Sequence, residues 1–255
     1  MSVSVTAIDR VAVIRMLRPE RRNAVDAATA QSLAAAFRAF DADGGLDVAV
    51  FAGGDDVFCA GADLKALATG DRISLSASGD SPMGPPRLRL SKPVIAAIEG
   101  PAVAGGLELV LWCDLRIAGA SAIFGVFNRR FGIPLVDLGT IRLPRIIGHG
   151  RAMDLILSGR SIDATEALSM GLINRCVPDG HALPAAIELA QKLSSFPQTA
   201  MRHDRLSAIE QWGLSEESAI ANEIAHGQVT LASGETAAGA MTFSGGAGRH
   251  GKPLR

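Results

Sequence analysis

Residues 92–118 read KPVIAAIEGPAVAGGLELVLWCDLRIA, and the order of patterns within them decides the fold class. Pro93–Ile98 is a short unbroken apolar run closed off by Glu99-Gly100-Pro101, the form taken by a strand buried on both faces. Gly105-Gly106 then leads into a helix over Leu107–Cys113, and Leu115–Ala118 returns to strand character. Such alternation of strand and helix means an α/β fold.

Toward the N-terminus the same alternation continues. Val3–Ile8 and Val11–Met16 are β-branched runs joined by Asp9-Arg10, which reads as a hairpin. In Ala27–Phe40, residues Ala30, Leu33, Ala34, Phe37 and Phe40 recur at helical spacing until Asp43-Gly44-Gly45 stops the pattern. Val48–Phe51 reads as a buried strand and Asp63–Leu67 as the start of a second helix. Thr69–Ser91 is rich in Ser, Pro and Gly without apolar periodicity, so it is expected to be a long loop and a candidate mobile lid. Toward the C-terminus, residues 154–180 read as helix, turn, helix and strand. Ala185 onward reads as helical up to Gly245, Gly246, Gly248 and Gly251. A boundary at Phe196-Pro197 separates a core, residues 1–196, from a helical region, residues 197–255.

Composition narrows the function classes. The chain has 255 residues, 48% hydrophobic and 20% charged, enough to bury a core and unlike a disordered chain. Its 25 basic and 26 acidic residues leave a net charge of −1, which excludes a nucleic-acid binder held by bulk electrostatics. Cys59, Cys113 and Cys176 show no metal-ligand spacing, which argues against a structural zinc and for a reducing compartment. The opening MSVSVTAIDR lacks the charge and apolar run of a signal peptide. The most apolar stretch, Pro101–Cys113, is interrupted by Glu108 and two glycines, so no membrane association is expected. A soluble cytoplasmic protein is the expectation.

Two segments put glycine where strand gives way to helix, Cys59–Lys65 and Pro101–Glu108. The first turn of a helix carries unpaired N–H groups and the positive end of the dipole, so two such turns facing each other would bind a developing oxyanion. Equally, the glycines permit tight turns and Asp63 is an N-cap. Glu108 follows two glycines in the most apolar part of the chain, where a carboxyl tends to have a raised pKa and suits proton transfer. As a first-turn glutamate it is also simply favoured by the dipole. A serine hydrolase is disfavoured, because no GxSxG occurs and Ser91 enters a strand at Lys92-Pro93. The one GxGxxG match, Gly246 to Gly251, has no strand before it, which disfavours a dinucleotide enzyme.

Residues 92–118, together with FCAGADLKAL (58–67), RPERRNAVDA (18–27), AIFGVFNRRFGI (122–133) and GTIRLPRIIG (139–148), resemble the crotonase, or enoyl-CoA hydratase/isomerase, family. The motifs fall in order from Val11 to Val177 and continue more thinly into the C-terminal helices. The resemblance implies a spiral of ββα units, a C-terminal helical region used in trimer formation, and a homotrimer or dimer of trimers. It implies an acyl-CoA thioester as substrate, with CoA part of that substrate and no metal or redox cofactor.

By the same resemblance, the N–H groups of Ala62 and Gly105 are the two oxyanion donors, and Glu108 is the first of two catalytic glutamates of hydratases. Asn128 stands where the second is expected. An amide cannot take up a proton as a carboxylate does, so this is the sharpest departure from the hydratase pattern. Asp137 matches a proton-shuttling aspartate of dienoyl-CoA isomerases if one residue is gapped; it could equally cap the helix near Thr140. Arg129 and Arg130, unusual in a strand lining an apolar pocket, could meet a carboxylate on the acyl group or an internal acid, or face solvent or another subunit. At the CoA end the resemblance implies Ala60, Asp63 and Leu64 beside the adenine, with Lys65 and Arg22 on the phosphates. Enoyl-CoA hydratase is therefore the expected activity. A double-bond isomerase is the alternative, and a non-catalytic acyl-CoA-binding or scaffold protein is the rival from another class.

Overall fold

The Val- and Ile-rich opening pairs as β1 (Val3–Ile8) and β2 (Val11–Met16), antiparallel about Asp9-Arg10. β2 is almost wholly buried, whereas β1, at the sheet edge, exposes most of its residues. The computed structural model describes residues 2–70 and 76–248. α1 (Ala27–Ala42) starts where the Asp26 side chain accepts from Thr29 N (2.8 Å), and its predicted apolar stripe is its buried face. β3 (Val48–Ala52), α2 (Leu64–Ala68), β4 (Val94–Ile98) and β5 (Pro101–Val103) follow. α3 (Gly105–Trp112) begins on the glycine pair itself, two residues before the sequence pattern placed it. Next come β6 (Leu115–Gly119), β7 (Ile123–Gly125), α4 (Gly139–Ile147), α5 (His149–Ser158), β8 (Ser161–Asp163), α6 (Ala164–Met170), β9 (Arg175–Val177) and α7 (Ala182–Ser194).

A six-stranded sheet runs β1-β2-β3-β4-β6-β9, parallel apart from the first hairpin, and a smaller sheet runs β5-β7-β8. Each turn of the chain therefore lays one strand in the large sheet, a shorter extended segment beside it, and then a helix. β4-β5-α3 and β6-β7-α4 are complete examples, and the single parallel bridges Cys59↔Ala102 and Val25↔Ala62 extend the pattern to earlier turns. Strand residues alternate between two apolar layers. One centres on Phe37, which packs edge-on to Phe51 (5.2 Å) and Trp112 (4.7 Å). The other sets Val11, Val48, Ile95 and Ile117 against Ala186 and Leu189 of α7. Of the long loop predicted at Thr69–Ser91, residues 71–75 lie outside the described residues; the remainder includes a Ser81↔Gly84 bridge and a 3-10 turn at Pro85–Arg87.

The chain divides into two compact units, Met1–Leu193 and Ser194–Arg255. In the second, α8 (Gln198–Glu210), α9 (Glu216–Ala232) and α10 (Glu235–Ser244) leave Ile209, Trp212, Leu214 and Ile220 exposed. Glu235 accepts from Thr199 N and Ala200 N (2.9 Å each), closing the start of α8. The Gly251 end of the glycine run lies outside the described residues. Among those described, no helix is long and apolar enough to cross a membrane.

The aromatic cluster predicts the cost of opening the first layer. Phe37→Ala should lower stability by about 3–5 kcal/mol in urea denaturation, the usual penalty for emptying a buried phenylalanine site. A loss below about 0.5 kcal/mol, in the range of a surface change, would mean that the Phe37 site collapses or that the layer is not the core.

Candidate active site

Val25 N donates to Gly61 O (2.8 Å) and Asp63 N donates to Val25 O (2.9 Å), so segment 61–63 is pinned to segment 24–26 by the main-chain groups flanking Ala62. The N–H of Ala62 itself has no protein acceptor among the described residues. The second turn reverses at Ala104, whose φ of 54° and ψ of −126° belong to a left-handed region rarely entered without glycine. That reversal starts α3 with the Gly105 N–H, which also lacks a protein acceptor. The two turns touch at Gly61: a Cβ there would lie 2.8 Å from Ala104 Cβ and 3.0 Å from Gly105 N, so glycine is required. Ala62 and Gly105 line one cavity of about 670 Å³. Two free N–H groups, one at the positive end of a helix, suit an oxygen that gains negative charge.

Glu108, one turn into α3, lines the same cavity and is 1% exposed. Its Oε1 accepts from Asp137 N (2.9 Å) and Gly139 N (2.8 Å), and a Cβ at residue 139 would come within 2.7 Å of that oxygen. Burial, and after it the negative charge of Asp137, raise its carboxyl pKa to about 8; the two amides and the Arg142 guanidinium oppose the rise. A carboxyl in that range can both release and take up a proton near neutral pH.

Asp137 is also buried and lines the cavity. It does not cap α4: Leu138 is the N-cap residue, without a side-chain cap. Its Oδ1 instead accepts from Ser81 Oγ and from Met83 N (2.8 Å), and burial raises its pKa against the pull of those bonds. Asp137 thus supports Glu108 through its main chain while its side chain holds the 81–83 segment over the cavity.

Asn128 lies on a 3-10 turn, Phe127–Phe131, and not on the strand expected for it, because β7 stops at Gly125. It is buried against the cavity; Nδ2 makes a long contact to Pro134 O (3.4 Å), and Oδ1 has no protein partner. The turn splits the arginine pair. Arg129 donates to Ile156 O (3.1 Å) away from the cavity, while Arg130 lines it, stacked 3.6 Å from the Phe127 ring centre and donating to Gly159 O (3.2 Å). Among the described residues neither arginine pairs with an internal acid.

Arg22, Ala60, Asp63 and Leu64 line the same cavity as Asn128, while Lys65 is exposed and outside the lining. The Asp63 carboxylate caps α2 through Lys65 N (3.1 Å) and Ala66 N (3.2 Å). Sequence reasoning missed Ser81, Pro82 and Met83, which sit in the stretch without periodicity; their signal is only that the loop returns to the site. Among the described residues no three His, Cys, Asp or Glu side chains group as metal ligands.

The enoyl-CoA hydratase/isomerase family model matches residues 7–243. Enoyl-CoA hydratase EchA19 of Mycobacterium tuberculosis is 39% identical over 193 residues, covering 72% of this chain and 71% of that enzyme. The mevalonyl-coenzyme A hydratase sidH of Aspergillus fumigatus is 37% identical, covering 75% and 72%. A crystal structure of an enoyl-CoA hydratase from M. tuberculosis superposes with a TM-score of 0.90 at 36% identity over 95% of each chain. The α/β architecture is therefore that of the crotonase fold.

The raised carboxyl has a consequence for stability. Between the ordinary value of 4.5 and about 8 the folded chain keeps the Glu108 proton that the unfolded chain has released. The stability this contributes is fully present below 4.5 and is lost as pH rises to about 8. Gln at this position still accepts both amide bonds but has no proton to lose. Over that interval, urea midpoints of Glu108→Gln should fall less than those of the parent; equal slopes would show that Glu108 ionises normally.

Proposed function

The chain belongs to the enoyl-CoA hydratase/isomerase family, and on that premise we propose that it adds water across the double bond of a 2-enoyl-CoA, giving the 3-hydroxyacyl-CoA. The observation that carries this reading is the meeting, in one cavity, of two unpaired N–H groups, Ala62 and Gly105, with the buried carboxyl of Glu108.

The thioester oxygen accepts from both N–H groups. As water oxygen bonds to C3, the double-bond electrons move toward C2 and onto that oxygen, forming an enolate that the two donors stabilise. Glu108 as carboxylate takes one proton from the water and, as acid, delivers a proton to C2, so that H and OH are added and the enzyme returns to its starting state. Asn128 lines the cavity with an amide where a second carboxylate is expected, so it can orient the water but cannot take its proton. The CoA adenine lies beside Ala60, Asp63 and Leu64, with Arg22 and then Lys65 meeting phosphate. The reaction transfers no electrons between redox partners and calls for no metal.

The second reading, a double-bond isomerase, is favoured by Asn128, since moving a proton between carbons needs only one carboxyl, and Asp137 is a further carboxyl in the same cavity. A non-catalytic role is disfavoured by the care with which Glu108 is held. Assembly into a homotrimer, or a dimer of trimers, is supported by the apolar side chains exposed on the C-terminal helices. A cytoplasmic location is supported by three free cysteines.

Loss of the conjugated enoyl-thioester absorbance measures the reaction. Glu108→Gln should abolish it, and Asn128→Glu should raise it by about 100- to 10,000-fold, the usual worth of one acid–base group. If Asn128→Glu slows a fast parent, another group supplies the base, and Asp137 is the first to test. Double-bond migration without hydration would favour the isomerase. For assembly, light scattering of the full chain should report a trimer or its dimer, and Ile220→Asp should dissociate it; a monomeric parent would end that part of the proposal.

A further inference from the structure

We infer that Arg18 is a positioning residue for the oxyanion site: by clamping the N-cap aspartates of α1 and α2 together it sets the direction of the Ala62 N–H. The inference rests on the proposed role of Ala62. Arg18 Nη2 lies 2.8 Å from Asp26 Oδ2 and 3.1 Å from Asp63 Oδ2, and Nη1 donates to Ala24 O. Each aspartate uses its other oxygen, Oδ1, to cap its helix, Asp26 from Thr29 N and Asp63 from Lys65 N and Ala66 N. One guanidinium nitrogen thus joins two helix starts, and between those starts run the paired segments 24–26 and 61–63 whose middle residue on one side is Ala62.

The cluster is shielded: the side chains of Arg18, Asp26 and Asp63 are 15%, 25% and 6% exposed, so screening by water is weak. Arg18 is itself anchored at its backbone, its N–H donating to Asn23 Oδ1 (2.9 Å) while Asn23 Nδ2 donates to Val57 O (3.0 Å). Without the guanidinium, two carboxylates would face each other across a gap less than two hydrogen bonds wide. Their repulsion acts along the line joining the two segments and turns Ala62 away from the cavity. An oxyanion donor is sensitive to such a shift, because its worth depends on aim at the developing charge and not at the ground-state carbonyl.

The test compares Arg18→Met, Arg18→Lys and the double variant Arg18→Met with Asp26→Asn, which keeps a capping side chain while removing the repulsion. Two readouts are needed: kcat and KM for a short 2-enoyl-CoA, and the absorption band of a bound donor-substituted cinnamoyl thioester, which moves to longer wavelength as its carbonyl is polarised. Arg18→Met should lower kcat by about 10- to 100-fold, the scale of a misplaced catalytic group, with KM little changed and the band shift reduced. Arg18→Lys should do the same to a smaller extent, and stands in if Arg18→Met does not fold. The double variant should recover part of both losses. If the Arg18 variants unfold at lower temperature yet keep the parent's kcat and band position, Arg18 only stabilises the fold and the inference is wrong. A parent that neither shifts the band nor hydrates would remove the oxyanion reading itself, and this inference with it.

Discussion

Burial of one carboxyl, Glu108, is the constraint around which the site is organised. An unpaired charge in such surroundings is costly, so the group needs either a proton or hydrogen bonds, and it has the means for both. The amides of Asp137 and Gly139 accept the task of holding Oε1, which obliges the chain from Asn128 to α4 to return to α3 and obliges residue 139 to lack a side chain. That return also brings Asp137 beside Glu108, and the carboxylate so introduced raises the Glu108 pKa further. Structure and proton chemistry are therefore set by the same contacts.

The oxyanion site depends on a different economy. Free N–H groups are normally avoided in a protein interior. Here two are left free because their segments are held by neighbours instead: the Ala62 turn by Val25 on either side, and the Gly105 turn by a strained Ala104. Left-handed backbone at a residue with a side chain costs of order 1–3 kcal/mol and persists only where packing compels it. Ala104 is held in that turn by its N–H, which donates to Gly125 O (3.0 Å), and the close approach of the two turns leaves no room for a side chain at Gly61.

Much of the fold was legible because its signals are local. The hairpin, α1 and the buried strands of the large sheet follow from apolar runs and spacing within single segments, and each lies where its pattern put it. The short elements were less legible. α3 begins on the glycine pair because tertiary packing overrides their low helix propensity, and Asn128 fell on a 3-10 turn because a three-residue strand carries too little pattern to mark its own end.

The sequence by itself determined the alternation of strand and helix, the two glycine turns, and the presence of a glutamate in an apolar helix start, together with the family resemblance that assigns them roles. Only the tertiary structure decided what each polar group touches. Glu108 meets Gly139 across 31 residues, Arg18 meets Asp63 across 45, and Asp137 meets Ser81 across 56. No periodicity spans such intervals, since a repeat of two or 3.6 residues reports only which face of an element is apolar. Partners across the chain are chosen when the elements pack, and that is why Asp137, equally a helix cap or a proton carrier in the sequence, is a ligand of the Ser81–Met83 segment in the structure.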